Sequence, residues 1–120
     1  MKKMILLALL SFFGLQAQAQ DTNAAPKVKG KYDIEVKGNC DMCKKRIEKA
    51  AYSVNGVRSA EWHVDDQTLH VMLNDKKATP QQVQAAVAAK GHDTKYNNTE
   101  VNATSEQYES LHGCCLYERE

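Results

Sequence analysis

Four cysteines carry most of the chemistry open to this 120-residue chain. Cys40 and Cys43 stand three positions apart in Gly38-Asn39-Cys40-Asp41-Met42-Cys43, and Cys114 and Cys115 are adjacent near the other end. The first pair follows an alternating, strand-like run and precedes a helical one. A C-x-x-C at such a junction sets both sulfurs near a helix N-terminus, where the dipole favours thiolate. Thiolate is both a soft-metal ligand and the nucleophile of disulfide exchange. Three readings follow: metal capture, redox exchange or a plain structural disulfide. Two thiolates suit a soft d¹⁰ ion such as Cu(I) or Hg(II), which accepts few ligands. Zn(II) prefers four ligands and would need the tail as well. Redox exchange calls for a thioredoxin-like fold with a proline opposite the disulfide. Of the two prolines, Pro26 lies in a polar leader and Pro80 serves a helix start. Metal capture is therefore the preferred reading.

Further ligands are within the chain's means. His112, Cys114 and Cys115 could close a four-sulfur site with Cys40 and Cys43, or the cysteines could pair as disulfides. A bond between the adjacent Cys114 and Cys115 would be strained. His92 falls in a loop beside the C-x-x-C, as an auxiliary ligand or simply a capping residue, and Lys90 next to it could balance a bis-thiolate charge. His63 and His70 could bind Cu(II) or Zn(II) from an outer sheet face, but the preferred reading is a solvated pair. Met42 is expected to cover the loop with apolar surface rather than ligate. Lys44, Lys45, Arg46 and Lys49 form a basic helix face, either ordinary solvation or a dock for an acidic partner.

These residues need a scaffold, and the patterns supply one. Tyr32, Ile34 and Val36 alternate with Asp33, Glu35 and Lys37 as a half-buried strand. From Asp41, the residues Cys43, Ile47, Ala50, Ala51 and Val54 share one helical face, ended by Asn55-Gly56. Ala60, Trp62 and Val64, then Leu69, Val71 and Leu73, alternate as two strands around a tight turn. With Asp66 and Gln67 as its centre, Trp62 faces Val71 and His63 faces His70. Thr79-Pro80-Gln81-Gln82 announces a second helix with a capping box and proline at the first position. His92 to Tyr96 forms a last short strand. Asn97-Asn98-Thr99 and Asn102-Ala103-Thr104 match glycosylation sequons. A short helix over Ser105–His112, rising about 12 Å, could carry the tail thiols back to the first pair. The order βαββαβ is the split-βαβ, ferredoxin-like arrangement, an α+β sandwich with two helices on one face of an antiparallel sheet, plus a C-terminal tail. The expected division is residues 1–20, 21–31 (leader), 32–97 (domain) and 98–120 (cysteine-containing extension).

Residues 1–20 read as a secretory signal peptide: Lys2 and Lys3, an apolar run from Met4 to Leu15, and Ala17-Gln18-Ala19 for cleavage. The run is short for a membrane span, which needs roughly 20 residues, and no cysteine precedes Cys40 to anchor a lipid. Cleavage near Gln20 or Asp21 takes the net charge from +1 to −1. Near-neutral charge gives no reason to expect nucleic acid or a membrane surface as partner. The expectation is an exported protein, periplasmic or secreted, in a compartment that oxidises idle thiols. Nothing suggests hydrolysis: there is no Gly-x-Ser-x-Gly turn, no apolar carboxylate pair and no phosphate loop.

Residues 32–97 resemble the heavy-metal-associated domain family, which includes copper chaperones, metal-binding modules of metal-pumping ATPases and exported mercury-binding proteins. Gly38, Cys40 and Cys43 match the family's Gly-Met-x-Cys-x-x-Cys, one residue tighter and with Asn39 where methionine or its neighbour is usual. Gly56-Val57 after the first helix and Lys90-Gly91-His92 before the last strand also match. The resemblance implies a metal carrier rather than an enzyme, with Cys40 and Cys43 as ligands. It would handle Cu(I) first, with Hg(II) or Zn(II) as alternatives, in trafficking, buffering or detoxification. A membrane metal transporter or another metal-binding domain would be the partner. A thiol–disulfide oxidoreductase and a disulfide-stapled interaction module are the readings from other classes.

Overall fold

A computed structural model describes residues 29–119; the signal-peptide reading and most of the leader lie outside them. Strand β1 (Lys31–Val36) buries Ile34 and Val36 and exposes Asp33 and Glu35, as its alternation requires. Helix α1 (Asp41–Tyr52) buries Cys43, Ile47, Ala50 and Ala51 on one stripe. β2 (Val57–His63) and β3 (Thr68–Leu73) form a hairpin. α2 (Pro80–Ala88) starts on the expected capping box, with Thr79 accepting from Gln82 N–H and the Gln82 side chain returning to Thr79 N–H. β4 (Thr94–Tyr96) pairs antiparallel with β1. The five strands lie in the order β2-β3-β1-β4-β5. One core joins the inner sheet face, through Ile34, Trp62, Leu69 and Val71, to Ile47 of α1 and Val83 and Val87 of α2. The α+β, ferredoxin-like sandwich is thus present, with both long helices on one face. Among the described residues no helix is long and apolar enough to cross a membrane.

Three features differ from expectation. The β2–β3 turn spans four residues, so Trp62 pairs with Leu69 and His63 with Thr68. Gln67 takes a positive φ of 56°. Its side chain bonds Val64 O at 2.9 Å, and Asp66 accepts from Thr68 N–H at 3.0 Å. The register moves by two, so each residue keeps its face: Trp62 stays inside, and His63 meets His70 diagonally rather than directly.

The second difference is an added strand. Asn97 and Asn98, read as a sequon in a tail, have φ of 47° and 63°. Positive φ at both central residues is the signature of a type I′ hairpin, and asparagine tolerates it. The turn leads into β5 (Thr99–Val101), paired with β4. β5 therefore runs back toward the metal loop. The return was expected from a helix over Ser105–His112; α3 in fact covers only Ser105–Glu109, capped by Thr104 and Gln107. A 3-10 turn over Gly113–Cys115 follows.

Glycine at position 38 has a packing reason. A Cβ there would meet the Trp62 ring at 3.0 and 3.1 Å and Cys43 Cβ at 3.2 Å. The backbone passes over the indole, whose Nε1 donates to Val36 O at 3.0 Å. Gly38→Ala is expected to cost about 1–3 kcal/mol by overpacking, read as a lower midpoint in urea denaturation.

Candidate metal centre

Cys40 occupies the N-cap of α1 in extended conformation (φ −148°, ψ 177°) and makes no side-chain cap bond. Its sulfur is thus available to the other thiols rather than spent on the helix cap. Cys43, one turn on, is fully buried under the loop and accepts a hydrogen bond from Asn39 N–H at 3.4 Å. Gly38 N–H is held by the Gln67 side chain at 2.9 Å, so the hairpin turn fixes the loop.

The tail delivers the other two sulfurs. Leu111 packs over Gly91, whose φ of +105° and missing Cβ allow the approach; a Cβ would stand 2.8 Å from Leu111 Cδ2. Tyr117 is buried and stacks on His92. Its hydroxyl donates to Gly91 O at 2.8 Å and accepts from Asp93 N–H at 2.9 Å. Arg119 grips Asp93 with two bonds of 2.9 Å, donates to Ala103 O at 2.8 Å and lies over the Tyr108 ring. These contacts strap residues 111–119 to the loop before β4.

As a result Cys115 joins Cys40 and Cys43 in one cluster, and Cys114 stands at its outer edge against Cys40. Cys40 Sγ lies 3.1 Å from Cys114 Sγ, 3.6 Å from Cys43 Sγ and 3.6 Å from Cys115 Sγ. Cys114 and Cys115 sulfurs are 3.9 Å apart. The sulfurs of Cys40, Cys43 and Cys115 all fall within 4.8 Å of one another. All four cysteines are free thiols. An ion about 2.3 Å from each of two sulfurs at a tetrahedral angle sets them about 3.8 Å apart, so the cluster is close to the size a coordinated ion needs. Cys43 and Cys115 form the buried floor, while Cys40 is half-buried and Cys114 exposed.

Electrostatics divide the four. The Cys114 thiol donates to Cys40 and is the main reason Cys40 is pulled down to about 7. The same bond raises Cys114, which is held as the donor. Burial drives Cys115 well above the ordinary thiol range, reinforced by Cys43 and Cys40. Cys40 is thus the readier thiolate, while burial opposes ionisation of Cys115. Metal binding accordingly releases protons and strengthens as pH rises.

The histidines do not join. His92 is fully buried, its Nδ1 2.8 Å from Lys37 O, so that ring nitrogen carries the proton and donates. Nε2 has no partner. Neither His92 nor the exposed His112 belongs to the set of ligand atoms within 4.8 Å of one another. Both histidines thus stand outside the three-sulfur set, as Cys114 does. His92 is drawn inward by Tyr117 and the Lys37 carbonyl, and the backbone carbonyl of His112 accepts from Cys115 N–H at 2.8 Å to form the 3-10 turn. Met42, set aside as loop cover, has its Sδ 3.5 Å from Cys114 Sγ. Tyr117 and Arg119 are positioning residues that no local pattern singles out; two tyrosines and an arginine flanking the Cys-Cys pair are the available signal.

Burial lowers the His92 pKa below 6.5, with Arg46 adding to the effect. The unfolded chain then binds more protons than the native one as pH falls from 6.5 toward the folded value, so stability drops in that window. Melting temperature is expected to fall between pH 7 and 5, and to fall less in His92→Phe, which keeps the ring stack but cannot titrate.

The heavy-metal-associated domain family matches residues 34–93. A copper chaperone of Staphylococcus epidermidis is 36% identical over 63 residues, spanning 52% of this chain and 93% of that protein. Among solved structures, the "CopZ metallochaperone" superposes with a TM-score of 0.53 at 27% identity, over 54% of this chain and 98% of the other. The Cu(I)-loaded N-terminal domain of a potential copper-translocating P-type ATPase from Bacillus subtilis gives 0.51 at 30% identity, over 54% and 82%. With the C-x-x-C at the start of α1 and the sandwich beneath it, this chain belongs to the heavy-metal-associated domain family.

Proposed function

We propose that the protein is an exported carrier or buffer of Cu(I), held by Cys40, Cys43, Cys114 and Cys115. The observation that carries this reading is a set of three mutually close sulfurs, Cys40, Cys43 and Cys115, with no nitrogen or oxygen ligand in it and Cys114 Sγ 3.1 Å from Cys40 at its edge. Thiolate ligands select soft ions, Cu(I) foremost. The copper chaperone and the Cu(I)-loaded ATPase domain among its relatives support the same ion. Zn(II) is a second reading, because four thiolates also complete its tetrahedral shell; Hg(II) shares the sulfur preference.

Transfer would proceed by ligand exchange. The exposed Cys40–Cys114 edge meets an acceptor's thiolates, and the buried Cys43 and Cys115 release last. Met42, Lys45, Arg46, Lys49 and Lys90 line a groove beside this edge. An acidic acceptor, such as a membrane metal transporter or another metal-binding domain, would dock there. Binding and exchange need no catalytic group, so the protein acts as a carrier rather than an enzyme. Residues 1–20 would direct export, periplasmic or secreted, and mature protein starting near Gln20 or Asp21 is the expected N-terminal sequence.

Titration of the fully reduced chain with Cu(I), Zn(II) and Hg(II) against competing chelators tests the ion. Cu(I) should be retained against a chelator that strips Zn(II), and bound Cu(I) should protect all four thiols from alkylation. Retention of Zn(II) with loss of Cu(I) would reverse the assignment.

A further inference from the structure

On the solvent face of the sheet, away from the helices, two imidazoles stand together. His63 and His70 have ring centroids 5.0 Å apart and planes at 73°. The four-residue turn creates this meeting: His63 pairs with Thr68, which sets His70 on its diagonal, and Glu61 directly opposite His70. Each ring is also gripped by a carboxylate. His63 Nε2 lies 3.2 Å from Glu61 Oε1, and His70 Nδ1 lies 2.7 Å from Asp33 Oδ1. A carboxylate only accepts, so each neutral ring places its N–H there. The remaining nitrogens, His63 Nδ1 and His70 Nε2, then carry lone pairs.

A carboxylate holding one imidazole nitrogen while the other is presented as a ligand is the arrangement that orients metal-binding histidines. The spacing agrees. Metal–nitrogen bonds of about 2.0–2.1 Å put an ion about 3.2 Å from each ring centre, and centroids 5.0 Å apart then imply an N–metal–N angle of roughly 100°. That angle suits a tetrahedral or square-based site completed by water. The side chains are 46% and 35% exposed, so an ion can enter without unfolding anything.

We infer that His63 and His70 form a second, solvent-facing metal site for an imidazole-preferring divalent ion, Cu(II) foremost, with Asp33 and Glu61 orienting the rings. Among divalent ions at nitrogen and oxygen ligands Cu(II) binds most tightly. The site is chemically distinct from the sulfur cluster and does not depend on it. One face of the chain would then hold copper in its oxidised, borderline form while the thiols hold the reduced, soft form.

The test uses the full chain with its thiols saturated by Hg(II), which occupies the cluster and keeps Cu(II) from oxidising it. Addition of Cu(II) should give one bound equivalent and an axial electron paramagnetic resonance signal with nitrogen couplings. His63→Ala combined with His70→Ala should abolish that signal while Hg(II) stoichiometry and the circular dichroism spectrum stay unchanged. Asp33→Asn, which keeps the shape but weakens the acceptor, should lower Cu(II) affinity by about tenfold or more. A signal and affinity unaltered in the double variant, or no stoichiometric Cu(II) binding in the wild type, would overturn the site.

Discussion

Replacing Cys114 and Cys115 together with serine is expected to lower Cu(I) affinity by about three orders of magnitude while leaving a bound ion on Cys40 and Cys43. Structural Zn(II) sites in zinc-finger peptides supply about 10–16 kcal/mol from four ligands, or about 3 kcal/mol each, which sets the scale, and 1.4 kcal/mol is tenfold. Part of the full loss is offset, because a soft ion accepts two-coordination. The double variant should also hand copper to a competing thiol faster, since the exposed edge is no longer covered by Cys114 at 3.1 Å from Cys40. Equilibrium competition with a chromophoric Cu(I) chelator and stopped-flow transfer to it read the two effects separately. Cys40→Ser, by contrast, removes the sulfur that touches all three others and should leave almost no chelator-resistant copper. Affinity and stoichiometry unchanged in the tail variant would exclude the tail from the site, and Cys40 and Cys43 would then act alone.

The tail variant also decides between carrier and trap. On the proposed four-thiolate reading, with Cys43 and Cys115 buried, metal would be released only after the tail lifts. The strap that resists lifting is Tyr117 and Arg119 on Gly91 and Asp93. An acceptor docking at the basic groove would supply its own thiolates where Cys114 now lies. On the proposed reading Cys114 would stand in for an acceptor's cysteine, and its removal should speed exchange more than it weakens binding of the first two ligands.

The largest loss of stability is expected from Trp62→Ala. The indole is 1% exposed and is the largest side chain in the core. Removing it costs about 3–5 kcal/mol through lost transfer energy and the cavity left behind, and it strands the Val36 carbonyl that Nε1 satisfies. The effect should reach the metal loop, because Gly38 rests on the same ring. Urea denaturation should show the lower midpoint. Cu(I) affinity should fall with it, since the loop no longer has a fixed floor. Stability down by that amount with copper affinity unchanged would show the loop to be held by the Gln67 contact to Gly38 alone.

Much of this architecture was legible in the chain. Period-two alternation in Tyr32–Lys37 and Leu69–Leu73, period-3.6 spacing from Cys43 to Ala51 and the Thr79–Gln82 capping box depend on local backbone geometry, which neighbours in sequence determine. The C-x-x-C at a strand–helix junction was equally readable, because the helix start that positions it is local too. The Asn97-Asn98 turn was local as well, but its two asparagines fit a sequon and a hairpin alike, and only the positive φ at both residues distinguishes them.

What lay beyond the sequence was distance between parts far apart along it. The tertiary structure decided that β5 brings the tail back. It decided that Tyr117 and Arg119 strap the tail to the loop before β4, and that Cys114 and Cys115 close on Cys40 across 74 and 75 positions. It also turned His92 inward to a carbonyl and an aromatic ring instead of toward the sulfurs, and it set His63 diagonal to His70 through a turn two residues longer than expected. The sequence alone determined that the chain has a sandwich with two reactive thiols at a helix start. Whether those thiols stand open or are closed by two more was decided by packing, because long-range contacts follow from how whole faces bury together and leave no periodic mark on the residues that make them.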